Sequence, residues 1–114
     1  MSAQSDPKDR RRSPRTRAPL FVMQDNYRAL AKDWSLVGLK TSRPPYAMTQ
    51  VGDVVCLTLY LPRPNLQVSI KCTARVVRID QATNSIAYQY VSVGPMEYEL
   101  LEGYFNEVVR TEVS

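Results

Sequence analysis

Alternating apolar and polar residues are the clearest pattern in this chain, and the alternation is strongest over residues 66–76. Every second side chain there is apolar, namely Leu66, Val68, Ile70, Cys72, Ala74 and Val76. Successive side chains of a strand point to opposite faces, so the pattern predicts a strand with one face in a core and the other in water. The parity changes between Val76 and Val77, and such a change indicates a β-bulge or a sharp bend.

Shorter apolar runs on both sides of this strand predict the rest of a small β fold. We expect further strands at residues 19–24, 27–34, 39–42, 54–61 and 86–90, separated by turn-forming residues. Asp25 and Asn26 favour a turn, so the first two strands are predicted to form a hairpin. Six short antiparallel strands in a chain of 114 residues favour one small barrel.

The last apolar pattern has the period of a helix. Pro95 is tolerated at a first helical position, and Glu97 lies in the first turn, where negative charge is favourable. Apolar side chains follow at helical spacing: Leu100, Leu101, Tyr104, Phe105 and Val108. We therefore predict an all-β fold with one C-terminal amphipathic helix, over about residues 95–110, that covers the barrel.

Positive charge is concentrated at the N-terminus. The chain carries 15 Lys+Arg and 11 Asp+Glu, a net charge of +4, and its first 17 residues contain six basic and two acidic side chains. This segment is poor in apolar residues that would offset the roughly 1 to 2 kcal/mol per residue needed to order a backbone. We expect a flexible basic arm at residues 1–17 and a barrel with its helix at residues 18–114.

Composition argues against an enzyme, a metalloprotein and a membrane protein. The chain has no histidine, the commonest general base and transition-metal ligand. Cys56 and Cys72 cannot complete a four-ligand zinc site, and both lie in apolar segments where buried, reduced thiols are expected. No run of about 18 apolar residues is present to span a membrane. We expect a cytoplasmic protein without catalytic activity, metal or cofactor.

Two short motifs combine chemistry suited to a ligand with phosphates and guanines. Arg11 and Arg15 form an Arg-x-x-x-Arg pair before the first strand. Asp33, Ser35 and Gly38 form an Asp-x-Ser-x-x-Gly turn after the second strand. The two ends of a hairpin lie side by side, so we expect the motifs to meet at one rim of the barrel. Arginine binds phosphate oxygens and guanine O6 and N7, and a carboxylate accepts hydrogen bonds from guanine N1–H and N2–H.

In their order and spacing these motifs resemble those of PilZ domains, which are bacterial receptors for cyclic di-GMP. The resemblance covers about residues 10–110. It implies a six-stranded antiparallel barrel whose arginine loop folds over cyclic di-GMP, with the serine bonding a ligand phosphate. The implied ligand-binding residues are Arg11, Arg15, Asp33, Ser35 and Gly38, and the neighbouring Arg10, Arg12 and Arg17 are further candidates.

The resemblance implies a receptor or adaptor that changes a partner-binding surface when the arm orders on the ligand. The implied setting is motility or biofilm regulation, with a motor, pilus, polysaccharide-export or regulatory protein as partner. The sequence decides neither the partner nor whether one ligand or an intercalated pair binds. Two alternatives stay open: a small barrel that binds nucleic acid through its basic arm, and a PilZ-type scaffold in pilus assembly. Asp33 and Ser35 also suit plain turn residues, and Trp34 is favoured as packed on the barrel.

Overall fold

The computed structural model describes residues 14–44, 49–63 and 67–113, in which the strands form one seven-stranded sheet and a single helix follows. The elements are β1 (Phe21–Gln24), β2 (Tyr27–Leu30), β3 (Asp33–Trp34), β4 (Gly38–Ser42), β5 (Val54–Leu61), β6 (Val68–Asp80), β7 (Ser85–Val93) and α1 (Pro95–Val113). All strand pairs are antiparallel, in the order β2-β1-β5-β6-β7-β4-β3. The predicted all-β class with a C-terminal helix is confirmed, with seven strands in place of six.

The extra strand arises because the predicted strand 27–34 is interrupted. β2 and β3 lie at opposite edges of the sheet, although only Ala31 and Lys32 separate them in sequence. The Ala31 amide donates to Leu20 O at 2.8 Å on the β1 side, and the Lys32 amide donates to Lys40 O at 2.7 Å on the β4 side. Two adjacent residues therefore join both edges, which requires the sheet to curl into an open barrel.

Alternate side chains of the two long central strands fill the inside of the curl. Leu57, Leu59 and Leu61 of β5 are each 1% exposed. From β6, Ile70, Cys72, Ala74 and Val76 are buried beside them. Burial of the thiol raises the pKa of Cys72 to about 11. The expectation of two buried cysteines is wrong for Cys56, which is exposed because its neighbour Leu57 takes the inward position.

The parity change in β6 is a β-bulge, as predicted. Val76 pairs with Tyr88 and Arg78 pairs with Ala87, so Val77 is the extra residue on the β6 side. Val76 is fully buried, whereas Val77 and Arg78 are both exposed. The bulge thus turns two consecutive side chains to the outer face.

Helix α1 covers one end of the barrel through contacts with Trp34. Trp34 is fully buried, stacked on Tyr104 with ring centroids 5.6 Å apart and edge-on to Phe105 at 5.5 Å. Two hydrogen bonds anchor the segment before β1 here: Trp34 Nε1 donates to Ala18 O at 2.8 Å, and Tyr104 Oη donates to Pro19 O at 2.7 Å. Across the described ranges, no helix combines the length and apolar character needed to cross a membrane.

Candidate functional site

The segment that precedes β1 is fastened to β3 by a short antiparallel bridge. The Thr16 amide donates to Trp34 O at 2.8 Å, and the Trp34 amide donates to Thr16 O at 3.0 Å. Successive side chains alternate in direction on such extended segments. The bridge therefore brings the neighbours of Thr16 and Trp34, which are Arg15 and Asp33, to the same rim.

Arg15 and Asp33 form an ion pair on this rim. Arg15 Nε donates to Asp33 Oδ1 at 2.5 Å. The side chains remain 44% and 27% exposed, and a pair so exposed contributes only about 0.2 to 1 kcal/mol. The groups that the sequence analysis expected to meet are in contact, and this contact is weak enough for an anionic or hydrogen-bonding ligand to displace.

Ser35 and Gly38 shape the turn between β3 and β4. The Ser35 amide donates to Gly38 O at 2.8 Å, and the Val37 amide donates to Ser35 Oγ at 3.1 Å. Ser35 is fully buried. A Cβ on Gly38 would clash with the backbone oxygen of Tyr88, so no side chain fits between β4 and β7 at this point. In this structure the serine hydroxyl bonds the turn, and its role as a phosphate ligand stays a prediction.

A surface cleft of about 930 Å³ runs from this rim across β4 and β7 to the bulge of β6. We call it the rim cleft; its lining includes Arg15, Asp33, Val37, Gly38, Lys40, Val77, Arg78, Asp80, Ala87 and Gln89. Three basic side chains face two carboxylates along it, so its charge balance favours an anion.

Asp80 accepts hydrogen bonds from the turn at the far end of the rim cleft. Its Oδ1 accepts hydrogen bonds from the amides of Ala82 at 3.0 Å and Thr83 at 3.3 Å. These bonds, chiefly that from Thr83, hold the pKa of Asp80 below its ordinary value. Asp80 therefore stays ionised, and its charge belongs mainly to the turn.

The far half of the rim cleft was not predicted from the sequence. Lys40, Arg78, Asp80 and Gln89 line it but belong to neither motif. The parity change near Val77 indicated the bulge, but only the order of the strands shows that the bulge faces the motif rim. Of the other predicted arginines, Arg17 is exposed and is not among the lining residues. Arg10, Arg11 and Arg12 lie outside the described residues.

No protein-family model and no curated protein matches the chain. Solved structures do match. The inhibitor of motility MotI/DgrA of Bacillus subtilis is 21% identical with a TM-score of 0.72; the match covers 91% of this chain and 51% of that chain. This chain thus spans about half the length of MotI/DgrA.

Two further matches are single domains. The PilZ domain of CeSA from a cellulose-synthesizing bacterium is 13% identical with a TM-score of 0.60; the match covers 84% of this chain and 98% of that domain. The PilZ domain of YcgR from Escherichia coli, in a structure with c-di-GMP, is 18% identical with a TM-score of 0.59; the match covers 90% and 94%. Identities this low show a shared fold, and the chain therefore has the PilZ-domain fold that its motifs implied.

Proposed function

We propose that this protein is a cytoplasmic receptor for cyclic di-GMP. The observation that carries the proposal is the contact between Arg15 and Asp33 at the mouth of the rim cleft. The Arg15 guanidinium can donate to a phosphate or to the acceptor edge of guanine, and the Asp33 carboxylate can accept from the donor edge of guanine. The YcgR PilZ domain, which shares this fold, is described with c-di-GMP bound, and this supports the choice of ligand.

The ligand binds by replacing the ion pair with contacts of its own. The Arg15 guanidinium moves from the carboxylate to a phosphate, where charge-assisted hydrogen bonds are stronger than neutral ones. Asp33 is then available to guanine N1–H and N2–H. Gly38 keeps β4 close to β7, because a side chain there would meet the backbone of Tyr88, and Ser35 keeps the turn in shape through the Val37 amide.

Arg11 completes the site from the arm. Arg10 and Arg12 are further candidates, and all three lie outside the described residues. Ordering residues 11–15 over a ligand costs roughly 5 to 10 kcal/mol of backbone entropy, which offsets much of the contact energy and keeps the receptor responsive to ligand concentration. The newly ordered surface signals to a protein partner without any catalytic step.

The test is a calorimetric titration of the whole chain with cyclic di-GMP. Wild type should bind, and Arg15→Ala should weaken binding tenfold or more, because a charge-assisted hydrogen bond contributes about 1.5 to 3 kcal/mol. Arg75→Ala is the matched control, since Arg75 is exposed on β6 and is not among the residues lining the rim cleft.

A duplex DNA of the same total phosphate concentration separates this proposal from the nucleic-acid alternative. Binding of the duplex without binding of cyclic di-GMP would contradict the receptor proposal. Equal affinities of Arg15→Ala and wild type for cyclic di-GMP would show that the motif residues are assigned wrongly.

A further inference from the structure

One cross-strand row of side chains connects the motif rim to the β6 bulge. Asp33 pairs with Lys40, Lys40 pairs with Ala87, and Ala87 pairs with Arg78. All four residues line the rim cleft. Their sequence neighbours Trp34, Leu39, Ile86 and Tyr88 are buried in the core, so the row lies on the outer face. Adjacent strands are about 4.8 Å apart, which puts the backbones of Lys40 and Arg78 roughly 10 Å apart.

The bulge is what presents Arg78 to this row. In an unbroken strand, a residue two positions after the buried Val76 would point into the barrel. The extra residue Val77 shifts the parity, so Arg78 faces outward beside Val77. Bulges next to binding sites commonly re-aim a side chain in this way. As a result, the apolar side chain of Val77 and the guanidinium of Arg78 lie side by side at the far end of the rim cleft.

Among the residues that the structure describes, Arg78 forms one loose ion pair, with Asp80. Its side chain is 69% exposed, and its Nη2 lies 3.9 Å from Asp80 Oδ2, beyond hydrogen-bonding distance. The other oxygen of Asp80 is already engaged by Ala82 and Thr83. The guanidinium plane is therefore available to a ligand.

We propose that the ligand occupies the rim cleft along its whole length, with Lys40 contacting a phosphate and Arg78 binding the guanine distant from Asp33. This rests on the proposed function and extends it to residues outside both motifs. Arginine can donate two parallel hydrogen bonds to guanine O6 and N7 or stack on the base, which lysine cannot do. Lys40 provides a compact charge between the two base positions, one strand from Asp33 and two strands from Arg78, where it can contact a phosphate.

Charge-conserving variants test the two roles in the same calorimetric titration. Arg78→Ala should weaken cyclic di-GMP binding about tenfold or more, and Arg78→Lys should restore little of it, because the lost contact depends on the planar guanidinium. Lys40→Ala should weaken binding and reduce its dependence on salt concentration, and Lys40→Arg should restore both, because this contact depends on charge. Arg75→Ala on the same strand should stay within about twofold of wild type.

These outcomes distinguish failure of the inference from failure of the proposed function. If Arg78→Ala binds like Arg75→Ala while Arg15→Ala loses affinity, the inference is overturned and the proposed function stands. Restoration by Arg78→Lys would replace the base contact with a simple charge contact and overturn the role assigned to Arg78. If folded wild type fails to bind cyclic di-GMP, both proposals fall.

Discussion

At the scale of single residues, burial separates two members of one turn that are two positions apart. The Asp33 side chain is 27% exposed and faces the rim cleft, whereas Ser35 is fully buried beneath it. From the sequence alone, the Asp33 carboxylate and the Ser35 hydroxyl are both candidates for contact with a ligand. In the structure, the Ser35 hydroxyl accepts from the Val37 amide inside the turn, so we expect the two residues to affect different quantities.

Asp33→Ala should reduce the preference for cyclic di-GMP over cyclic di-AMP, because its carboxylate is the proposed acceptor for guanine donors. Ser35→Ala should instead lower the free energy of unfolding by about 1 kcal/mol, through loss of the hydrogen bond from Val37. Urea denaturation and paired titrations with both ligands measure these effects. Equal loss of affinity for the two ligands in Asp33→Ala would exclude the guanine-edge role.

The burial of single residues could not be predicted from the sequence as well as the motifs could. The motif residues were identifiable because their types and spacing are local properties of the chain. The burial of Ser35 was not identifiable, because it depends on how the turn packs against the barrel. Cys56 illustrates the same limit: its apolar neighbours suggested burial, but strand parity decides which of two adjacent residues faces the core.

At the scale of elements, α1 and the segment before β1 stabilise each other. Tyr104 contributes through its ring, stacked on Trp34, and through its hydroxyl, bonded to Pro19 O. Burial raises the pKa of Tyr104, so the hydroxyl stays protonated and remains a donor at neutral pH. The helix therefore helps to position the chain just ahead of the hairpin, close to the rim that carries Arg15 and Asp33.

Tyr104→Phe should lower the free energy of unfolding by about 1 kcal/mol, because it removes the donor to Pro19 and keeps the ring stack. Tyr98→Phe is the matched control on the same helix, and its effect should stay within about 0.5 kcal/mol. Thermal and urea denaturation of both variants provide the comparison. An equal loss in the two would show that the Tyr104 hydrogen bond contributes nothing of its own.

Most elements could be predicted because each has a periodicity of its own. The alternation over residues 66–76 indicated both β6 and its bulge, and residues 54–61 match β5 as observed. β3 spans two residues, too few to show any period. The order of the strands is not encoded in the local pattern, and that order places Lys40 and Arg78, with their proposed roles, in the rim cleft.

At the scale of the whole molecule, the rim cleft lies where distant parts of the chain converge. The bridge from Thr16 to Trp34 and the pairing of β3, β4, β7 and β6 bring Arg15, Asp33 and the bulge to one outer face. Under the proposed function, binding along this face alters the surface that a partner meets while the core remains unchanged.

Amide hydrogen exchange with and without cyclic di-GMP tests this switch. The Thr16 amide is already bonded to Trp34 O, so it should be protected in both states. Residues 8–13 should gain protection only with ligand, because their ordering is proposed to accompany binding. Amides of β6 should not change. Full protection of residues 8–13 without ligand would contradict the switch, even if binding itself were demonstrated.

The placement of Trp34 has a spectroscopic consequence. It is the only tryptophan of the chain, it follows Asp33 directly, and it stacks on Tyr104 of α1. Its intrinsic fluorescence therefore comes from one site, between the rim and the helix. A fully buried indole emits at the blue end of the tryptophan range, so a red shift would register loosening of the helix. A change of intensity alone would register ligand arriving at the rim, which gives an unlabelled optical titration of the native chain.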